Sequence, residues 1–270
     1  HEDYSSAMLQ KHYLPHGLRP IAAAAVQTLE RQAAVPFHQV IAEKYYARRF
    51  PRAVPILNYP SLSLVNPGQA CDPACTRLLY TGNVTKTRGA LNMARLIRAR
   101  PDLSLVLAGY TPECVAEQMR VEAGPAAGNM SFPGLERYVP FEEIVHQYRS
   151  KTWLAGLALF PKSPHYLEKE LTKFFEYMAA GLPIVASDFP VWRGLIAEQG
   201  LGLCIPAEEP EAAGQALDWL STHPEEARAM GERGKALVRD RYNWEGQGKR
   251  LLDLYAQICA SKDKTVNRKI

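Results

Sequence analysis

Residues 168–190, EKELTKFFEYMAAGLPIVASDFP, predict a helix that is followed closely by a buried strand. Thr172 is predicted to cap a helix whose following residues, as far as Ala180, are mostly good helix formers. Gly181 and Pro183 end that helix. The letters PIVASD then indicate a short strand that is apolar on both faces, as in a parallel sheet. A helix that feeds a parallel strand presents its N-terminus at one sheet edge, where doubly wound folds bind anions.

The same rhythm of strand and helix extends on both sides of this stretch. RLLYTG precedes GALNMARLIRAR, and LSLVLAG precedes PECVAEQMRVEA. Such alternation predicts an α/β domain with a parallel sheet over residues 77–245. Residues 61–76 are rich in Pro, Gly, Ser and Asn and show no period, so they predict a linker. Residues 1–60 hold only two predicted strands, HQVIA and AVPILNYP, and are interpreted as the back half of a second domain whose front half is absent.

Composition and charge exclude several classes of protein. The 270-residue chain is 47% hydrophobic and 22% charged, which is ordinary for a globular protein, and its net charge of +4 is too small to indicate nucleic-acid binding. An odd number of cysteines, five, without a disulfide framework indicates a reducing compartment, and CDPAC lacks a second ligand pair for a metal. No apolar run approaches the roughly 20 residues of a membrane span. The opening HEDYSSAM is not a secretory leader, so we expect a cytoplasmic location.

The usual catalytic fingerprints are missing from the sequence. Neither G-x-G-x-x-G nor G-x-x-x-x-G-K-[ST] occurs, which disfavours an NAD-dependent oxidoreductase and a P-loop enzyme. H-E-x-x-H and G-x-S-x-G are also absent, which disfavours zinc and serine hydrolases. We therefore predict no metal site and no cofactor.

The loop in YTGNVTKTRG, residues 80–89, is a candidate anion site. A predicted strand ends at Gly82, and Arg88 with Gly89 opens the next helix. Loops of this kind direct backbone N–H groups and a guanidinium at phosphate oxygens. The alternative is a surface loop whose arginine is only solvated.

Two glutamates flank the start of the helix in the opening stretch. On one continuous helix, the eight positions from Glu168 to Glu176 would span about 12 Å. Paired glycosidase carboxylates lie roughly 5–9.5 Å apart, so this spacing disfavours hydrolysis by a carboxylate pair. With Thr172 as the cap, Glu168 lies in the loop and Glu176 inside the helix, where the two could hold opposite ends of an elongated ligand. Glu176 is surrounded by apolar and aromatic neighbours and needs a partner such as a pair of hydroxyls. The alternatives are a solvated Glu176 and a solvated Glu168.

Taken together, the motifs resemble those of a known enzyme family. The order of YTGNVTKTRG, LVLAG, the E-x7-E pair leading into EYMAAGLPIVASD, GLGLCIP and RYNWEGQGKRLLDLY is similar to the retaining GT-B glycosyltransferases of family 4 (group 1). The resemblance implies two Rossmann-like domains, of which the C-terminal one binds a nucleotide-sugar donor without metal. It also implies that residues 1–60 are a remnant of the acceptor-binding N-terminal domain, lacking about its first hundred residues. Residues 246–270 would be a helix that crosses back to that domain.

The resemblance also assigns the phosphate-binding residues. Arg88 takes the place of a basic phosphate ligand of the family, and Gly82 takes the place of a glycine before it. The second basic ligand falls on Asn83, so half of the usual clamp is absent, and Lys86 or Lys173 would compensate.

The remaining roles come from the resemblance in the same way. Glu176 would hold the ribose hydroxyls, and the amides of Leu171 and Thr172 would receive the diphosphate. Glu168 would contact the transferred sugar, although KELTKFF lacks the glycines that the family often has there. His1, in HEDY, would be the histidine that approaches the donor sugar, which makes His1 and Glu168 the catalytic candidates.

The base and the acceptor are expected to meet other segments. The loop after Gly134, with Tyr138 and Val139, would lie against the base. The acceptor would be a glycan or a lipid-linked sugar, and KHYLPHGLRP, residues 11–20, could touch the inner face of the membrane; a solvated basic loop is the alternative.

The expected function is transfer of a sugar from a nucleotide-diphosphate donor with retention at the anomeric carbon. Two alternatives remain open. The chain could be a non-catalytic nucleotide-sugar-binding fragment, or a GT-B sugar-nucleotide epimerase that needs no separate acceptor.

Overall fold

A computed structural model describes residue 15 and residues 17–66, 68 and 71–266 of the chain. The chain forms two compact units. The smaller is built from the chain up to Asn58 and from Glu245 onward, and the larger runs from Tyr59 to Trp244. The predicted role of each unit, acceptor-binding or donor-binding, stays a prediction.

The smaller unit contains a short parallel strand pair. Its elements are helix α1 (Arg19–Ala34), strand β1 (Val40–Ile41), a 3-10 helix (Lys44–Arg48), strand β2 (Val54–Pro55) and most of the last helix, α9 (Trp244–Val266). Val40 lies opposite Val54 in the pair. The Leu57 amide donates to Gln247 Oε1 at 2.9 Å, which ties α9 to the segment that follows β2.

The larger unit is a six-stranded, wholly parallel sheet. Its strands are β3 (Arg77–Thr81), β4 (Ser104–Ala108), β5 (Met130–Ser131), β6 (Ala155–Ala158), β7 (Ile184–Ser187) and β8 (Gly202–Ile205). Their spatial order is β5-β4-β3-β6-β7-β8, and each neighbouring pair is parallel. The predicted α/β class is confirmed. The central strands β6 and β7 are buried along their whole length, as the apolar runs in the sequence indicated.

Helices cover this sheet and join its strands. They are α2 (Ala90–Ala99), α3 (Glu113–Ala123), α4 (Phe141–Ser150), α5 (Thr172–Ala180), the short α6 (Pro190–Trp192), α7 (Pro210–Thr222) and α8 (Pro224–Asp240), and a π-helical turn (Arg193–Ala197) continues α6. Short 3-10 helices lie at Leu62–Leu64, Lys86–Arg88 and Gly124–Asn129. The core of this unit includes Trp153 and Trp192, which are fully buried.

The structure corrects the predicted cap of α5 and confirms its end. The prediction that Thr172 caps the helix is wrong, because Leu171 is the N-cap residue, in an extended conformation, and its side chain makes no cap hydrogen bond. Gly181 ends the helix in the left-handed conformation, with φ of 76° and its amide bonded to the carbonyl of Met178.

Residues 61–76, predicted as a linker, fall within the span of the larger unit. Leu64 and Cys71 are buried in its core, and the Asn66 amide donates to the carbonyl of Ala179 at 2.9 Å.

Three glycines bring the loops after β3, β4 and β5 into direct backbone contact. A Cβ on Gly109 would lie 2.1 Å from the carbonyl oxygen of Gly82, and a Cβ on Gly134 would lie 2.2 Å from that of Gly109. Real Cβ atoms do not approach so closely, so the loops can pack in this way only with glycine at these positions. The packing fixes the carboxyl edge of the sheet.

We expect Gly109→Ala to lower the free energy of unfolding by about 1–3 kcal/mol, the usual cost of forcing an extra methyl group into a packed region. Urea titration followed by circular dichroism measures this loss. Gly128→Ala is the matched control, since a Cβ there meets nothing within 4 Å. An unchanged midpoint for Gly109→Ala would contradict the close packing of the loops.

Candidate functional site

The order of the strands defines a crevice at the carboxyl edge of the sheet. From β3 the chain builds outward through β4 to β5, then returns so that β6 pairs with the other side of β3. In doubly wound folds a ligand-binding crevice forms where the winding reverses in this way. Here the loops after β3 and β6 flank that point, and α5 follows the second of these loops.

Tyr177 of α5 holds β3 and β6 at the point where they separate. The ladder between the strands pairs Leu78 with Ala155 and Leu79 with Gly156. Beyond it, the Tyr177 hydroxyl accepts from the Thr81 amide at 3.1 Å and donates to the Leu157 carbonyl at 3.2 Å. A Cβ on Gly156 would lie 2.7 Å from the Tyr177 ring, so glycine makes room for it.

Lys173, in the first turn of α5, carries a buried ammonium group at this crevice. The residue is 9% exposed, and Nζ has no hydrogen-bond partner among the described residues. Nζ lies 3.5 Å from the centre of the Tyr80 ring and 5.2 Å from that of Phe160. These cation–π contacts only partly replace hydration. Burial, together with the nearby positive charge of Arg88, holds the Lys173 pKa well below its usual range, although Glu176 opposes this.

Arg88 approaches the same point from the loop after β3. A Cβ on Gly82 would lie 3.9 Å from Lys173 Nζ and 4.0 Å from Arg88 Nη1. Gly89, with φ of 84°, fixes this loop, because a Cβ there would lie 1.9 Å from the carbonyl oxygen of Leu159 at the end of β6. Two cations therefore converge beside Gly82, an arrangement that a bound anion would stabilise.

The start of α5 is open for the same kind of ligand. Leu171 precedes the helix in extended backbone, and Thr172, its first residue, is exposed. Since no side chain in the described part of the chain caps the helix, its first amides can donate to an anion.

Glu176 lies one turn further along α5 with a defined partner. The Tyr148 hydroxyl, from α4, donates to Glu176 Oε2 at 3.0 Å and lies 2.9 Å from Thr81 Oγ1. Burial raises the pKa of Glu176 above its usual range, although the Tyr148 hydrogen bond and the charge of Lys173 act in the opposite direction. Burial and the Glu176 charge in turn raise the pKa of Tyr148. The carboxylate is thus oriented and has one oxygen left for a ligand.

The loop after β5 contributes an aromatic surface. Tyr138 is 77% exposed and stacks on Tyr110, with ring centroids 5.0 Å apart and planes at 22°. Val139, beside it, packs against the core. Tyr110 follows the carboxyl end of β4, so this pair lies at the same sheet edge as the crevice.

Other predicted residues lie further out or outside the described part of the chain. Asn83 is exposed, and its carbonyl accepts from the Tyr80 hydroxyl at 2.9 Å. Glu168 lies exposed in the turn before α5. His1 lies outside the described residues, as do residues 11–14 and 16 of the predicted membrane-contact segment.

The sequence pattern did not predict the aromatic residues that support the site. Tyr148 orients Glu176, and Tyr177 accepts a hydrogen bond at the end of β3. The Tyr80 ring packs against Lys173 Nζ. Thr81 and Tyr80 could have been noticed because they end a strand at the binding edge. Nothing in the pattern of α4 distinguishes Tyr148 from a core residue.

No group of three or more His, Cys, Asp or Glu side chains that could hold a metal ion occurs in the described part of the chain. Within the same residues, every helix is too short or too polar to cross a bilayer.

Comparison with known proteins identifies the family. Residues 76–237 match the family model described as glycosyl transferases group 1, which is more than half of the chain. The chain belongs to this family. The group 1 resemblance read from the sequence is therefore confirmed.

Individual relatives of this group 1 chain are distant. Over 83 residues, or 31% of the chain and 19% of the relative, it is 31% identical to D-inositol 3-phosphate glycosyltransferase of Corynebacterium urealyticum. Sucrose-phosphate synthase of Thermosynechococcus elongatus matches with a TM-score of 0.70 at 20% identity, covering 95% of this chain and 66% of the synthase. Anabaena HepE in complex with UDP and glucose matches with a TM-score of 0.68 at 10% identity, covering 86% of this chain and 66% of HepE. The chain thus spans less than two thirds of each, and the two structures establish the GT-B fold alone.

We expect Glu176→Gln to stabilise the ligand-free protein near pH 7 and to have little effect near pH 4. The folded-state pKa of Glu176 lies above its ordinary value of 4.5, so the folded form loses stability as the pH rises from that value through the raised one. The glutamine variant, which carries no charge, avoids this loss. Unfolding free energies of both proteins across this pH range provide the measurement.

Glu117→Gln is the control for this experiment, because it removes the same charge from an exposed position on α3. Its difference from the wild type is expected to stay flat with pH. A flat difference for Glu176→Gln as well would contradict the burial of its carboxylate.

Proposed function

We propose that the chain is the nucleotide-sugar-binding part of a glycosyltransferase that moves a sugar from a nucleoside-diphosphate donor to an acceptor. The observation that carries this proposal is the buried Lys173 side chain beside Arg88 at the open start of α5, since its Nζ has no hydrogen-bond partner among the described residues. Family membership supports sugar transfer as the type of reaction.

The donor diphosphate is proposed to occupy the space between Gly82 and the start of α5. Its oxygens would accept from Lys173, Arg88 and the first amides of α5, which is a denser set of donors than a single phosphate needs. Lys173 would replace the basic ligand that the family resemblance places at Asn83. Gly82 has φ of 95° and no side chain to obstruct the approach.

The ribose and the base would extend from the diphosphate along the two remaining parts of the site. Glu176, oriented by Tyr148, would accept hydrogen bonds from the ribose hydroxyls with its free oxygen. The exposed ring of Tyr138, supported by Tyr110, would offer a face for the base. Uracil is the first base to test, since the structural neighbour HepE was solved with UDP.

The proposed rate enhancement is electrostatic. As the bond between the sugar and the diphosphate breaks, negative charge grows on the leaving oxygens, and cations that are already in place stabilise it. A buried lysine and a left-handed glycine loop keep these groups fixed, so little reorganisation is needed. The resemblance places no covalent nucleophile at the sugar. Retention by attack of the acceptor on the same face is therefore the stereochemistry we propose.

The acceptor, a glycan or a lipid-linked sugar, and contact with the inner face of the membrane are proposed from the family resemblance alone. The roles of Glu168 and His1 have the same basis.

Binding of diphosphates should depend on Lys173 more than binding of monophosphates does. We expect Lys173→Met to weaken the best of UDP, GDP and ADP by about 10–100-fold, the usual loss for a charge-assisted hydrogen bond, and to affect CMP less. Glu176→Ala should weaken all of them, because the ribose is common to all. Isothermal titration calorimetry measures each affinity.

Arg98→Gln is the control for Lys173→Met, since Arg98 is an exposed cation in the last turn of α2. Equal losses in both variants would indicate a nonspecific effect of net charge. If none of the three diphosphates binds, the proposed donor site is contradicted.

The stereochemistry of donor cleavage separates the remaining alternatives. With water as the acceptor, we expect an α-linked donor to release the α-sugar first, which proton NMR detects before mutarotation. Release of the β-sugar would contradict retention. A changed sugar still linked to the nucleotide would indicate an epimerase. Binding without any cleavage would indicate a non-catalytic fragment.

A further inference from the structure

A second pocket with strong chemical character lies in the smaller unit. It has a volume of about 520 Å³, within the range of small-molecule sites, and lies between the second half of α1 and the segment that joins β1 to β2. Four arginines line it: Arg31, Arg48, Arg49 and Arg52.

All the charged side chains among the described residues that line this pocket are arginines. The lining of the pocket therefore carries net positive charge, which a bound anion would offset. Gln39 adds an amide that can donate a hydrogen bond, and Phe50 adds an apolar wall. The lining therefore fits an anion attached to a less polar group.

One of the four guanidinium groups, that of Arg49, is held in place by an ion pair with Glu30. Glu30 lies in the wall of a neighbouring pocket of about 590 Å³, which shares Arg49 with the arginine pocket. Its Oε2 is 2.9 Å from Arg49 Nη1, and the Arg49 side chain is only 12% exposed. A mostly buried, oriented guanidinium loses little entropy on binding, which distinguishes this pocket from a patch of solvated arginines.

The position of the pocket separates it from the usual catalytic edge of an α/β fold. Gln39 immediately precedes β1, and Arg52 comes shortly before β2. The pocket thus lies at the amino ends of these parallel strands, whereas α/β enzymes place their substrates at the carboxyl ends.

We propose that this arginine pocket binds the phosphate group of a small phosphorylated molecule, separately from the donor. The planar guanidinium forks of Arg31, Arg48 and Arg52 match phosphate oxygens in pairs, and Arg49 presents the fixed fork. Gln39 donates to the same group, and Phe50 contacts the part of the ligand next to the phosphate.

The test is a calorimetric titration of inorganic pyrophosphate into the full chain and three variants. The wild type is expected to show two binding events, one at each cationic site. Arg31→Gln/Arg52→Gln should lose only one event, and Lys173→Met only the other. Arg98→Gln, the exposed control, should keep both. These outcomes separate the two proposals, because loss of an event in Lys173→Met bears only on the donor site.

If Arg31→Gln/Arg52→Gln keeps both pyrophosphate-binding events unchanged, the proposed phosphate site is overturned. It is also overturned if Arg98→Gln loses the same binding event as the double variant. Arg31 and Arg52 are exposed, so these substitutions leave the core intact.

Soluble dihexanoyl phosphatidic acid, titrated in the same way, identifies the source of the phosphate. Binding at least ten-fold tighter than that of pyrophosphate, lost in the double variant, assigns the pocket to a lipid headgroup. Weaker binding than that of pyrophosphate assigns it to a free phosphate compound.

Discussion

The site depends on one hydroxyl group, that of Tyr177, which occupies the place where β3 and β6 stop pairing. Two parallel strands that separate inside a sheet leave amide and carbonyl groups without partners, and buried groups of this kind are costly. Tyr177 satisfies the Thr81 amide and the Leu157 carbonyl at once. Its ring fits only because Gly156 has no side chain. Because Tyr177 belongs to α5, the same contact fixes that helix, and with it Lys173 and Glu176, against the crevice.

The charged groups of the crevice are held at a cost to the stability of the free protein. Burial lowers the pKa of Lys173 and raises that of Glu176, so each group is disfavoured in its charged form. An apolar or amide side chain would be more stable at either position in the absence of ligand. Functional sites commonly keep such groups because a ligand of opposite charge, or a set of hydroxyls, recovers the lost free energy on binding. The first amides of α5, which no side chain of the described residues caps, would likewise gain hydrogen bonds only when a ligand binds.

Much of the fold could be predicted from local patterns, and parts of the site could not. The alternation of strands and helices predicted the parallel sheet, and Gly181 correctly predicted the end of α5. Thr172 was wrongly predicted as the cap, since cap preference is a local tendency and here Leu171 enters the helix in extended backbone. Glu176 was predicted to need a partner because its neighbours are apolar. The partner itself, Tyr148, is 28 positions away on another helix, and only the packing of α4 on α5 brings the two together.

The family, the α/β class and the residue types at the carboxyl edge of the sheet could all be predicted from the sequence, because periodicity and turn residues act over a few neighbouring positions. Tertiary structure alone decided which of these residues meet. Lys173 and Arg88 approach the same glycine, Gly82, from α5 and from the loop after β3, and Asn83 lies exposed at the place where the family has its second basic ligand. The four arginines that line the pocket of the smaller unit lie up to 21 positions apart and likewise converge only in the folded chain. The physical reason is that charges interact through space, and their distances are set by strand order and backbone packing, which are not written in any short stretch of sequence.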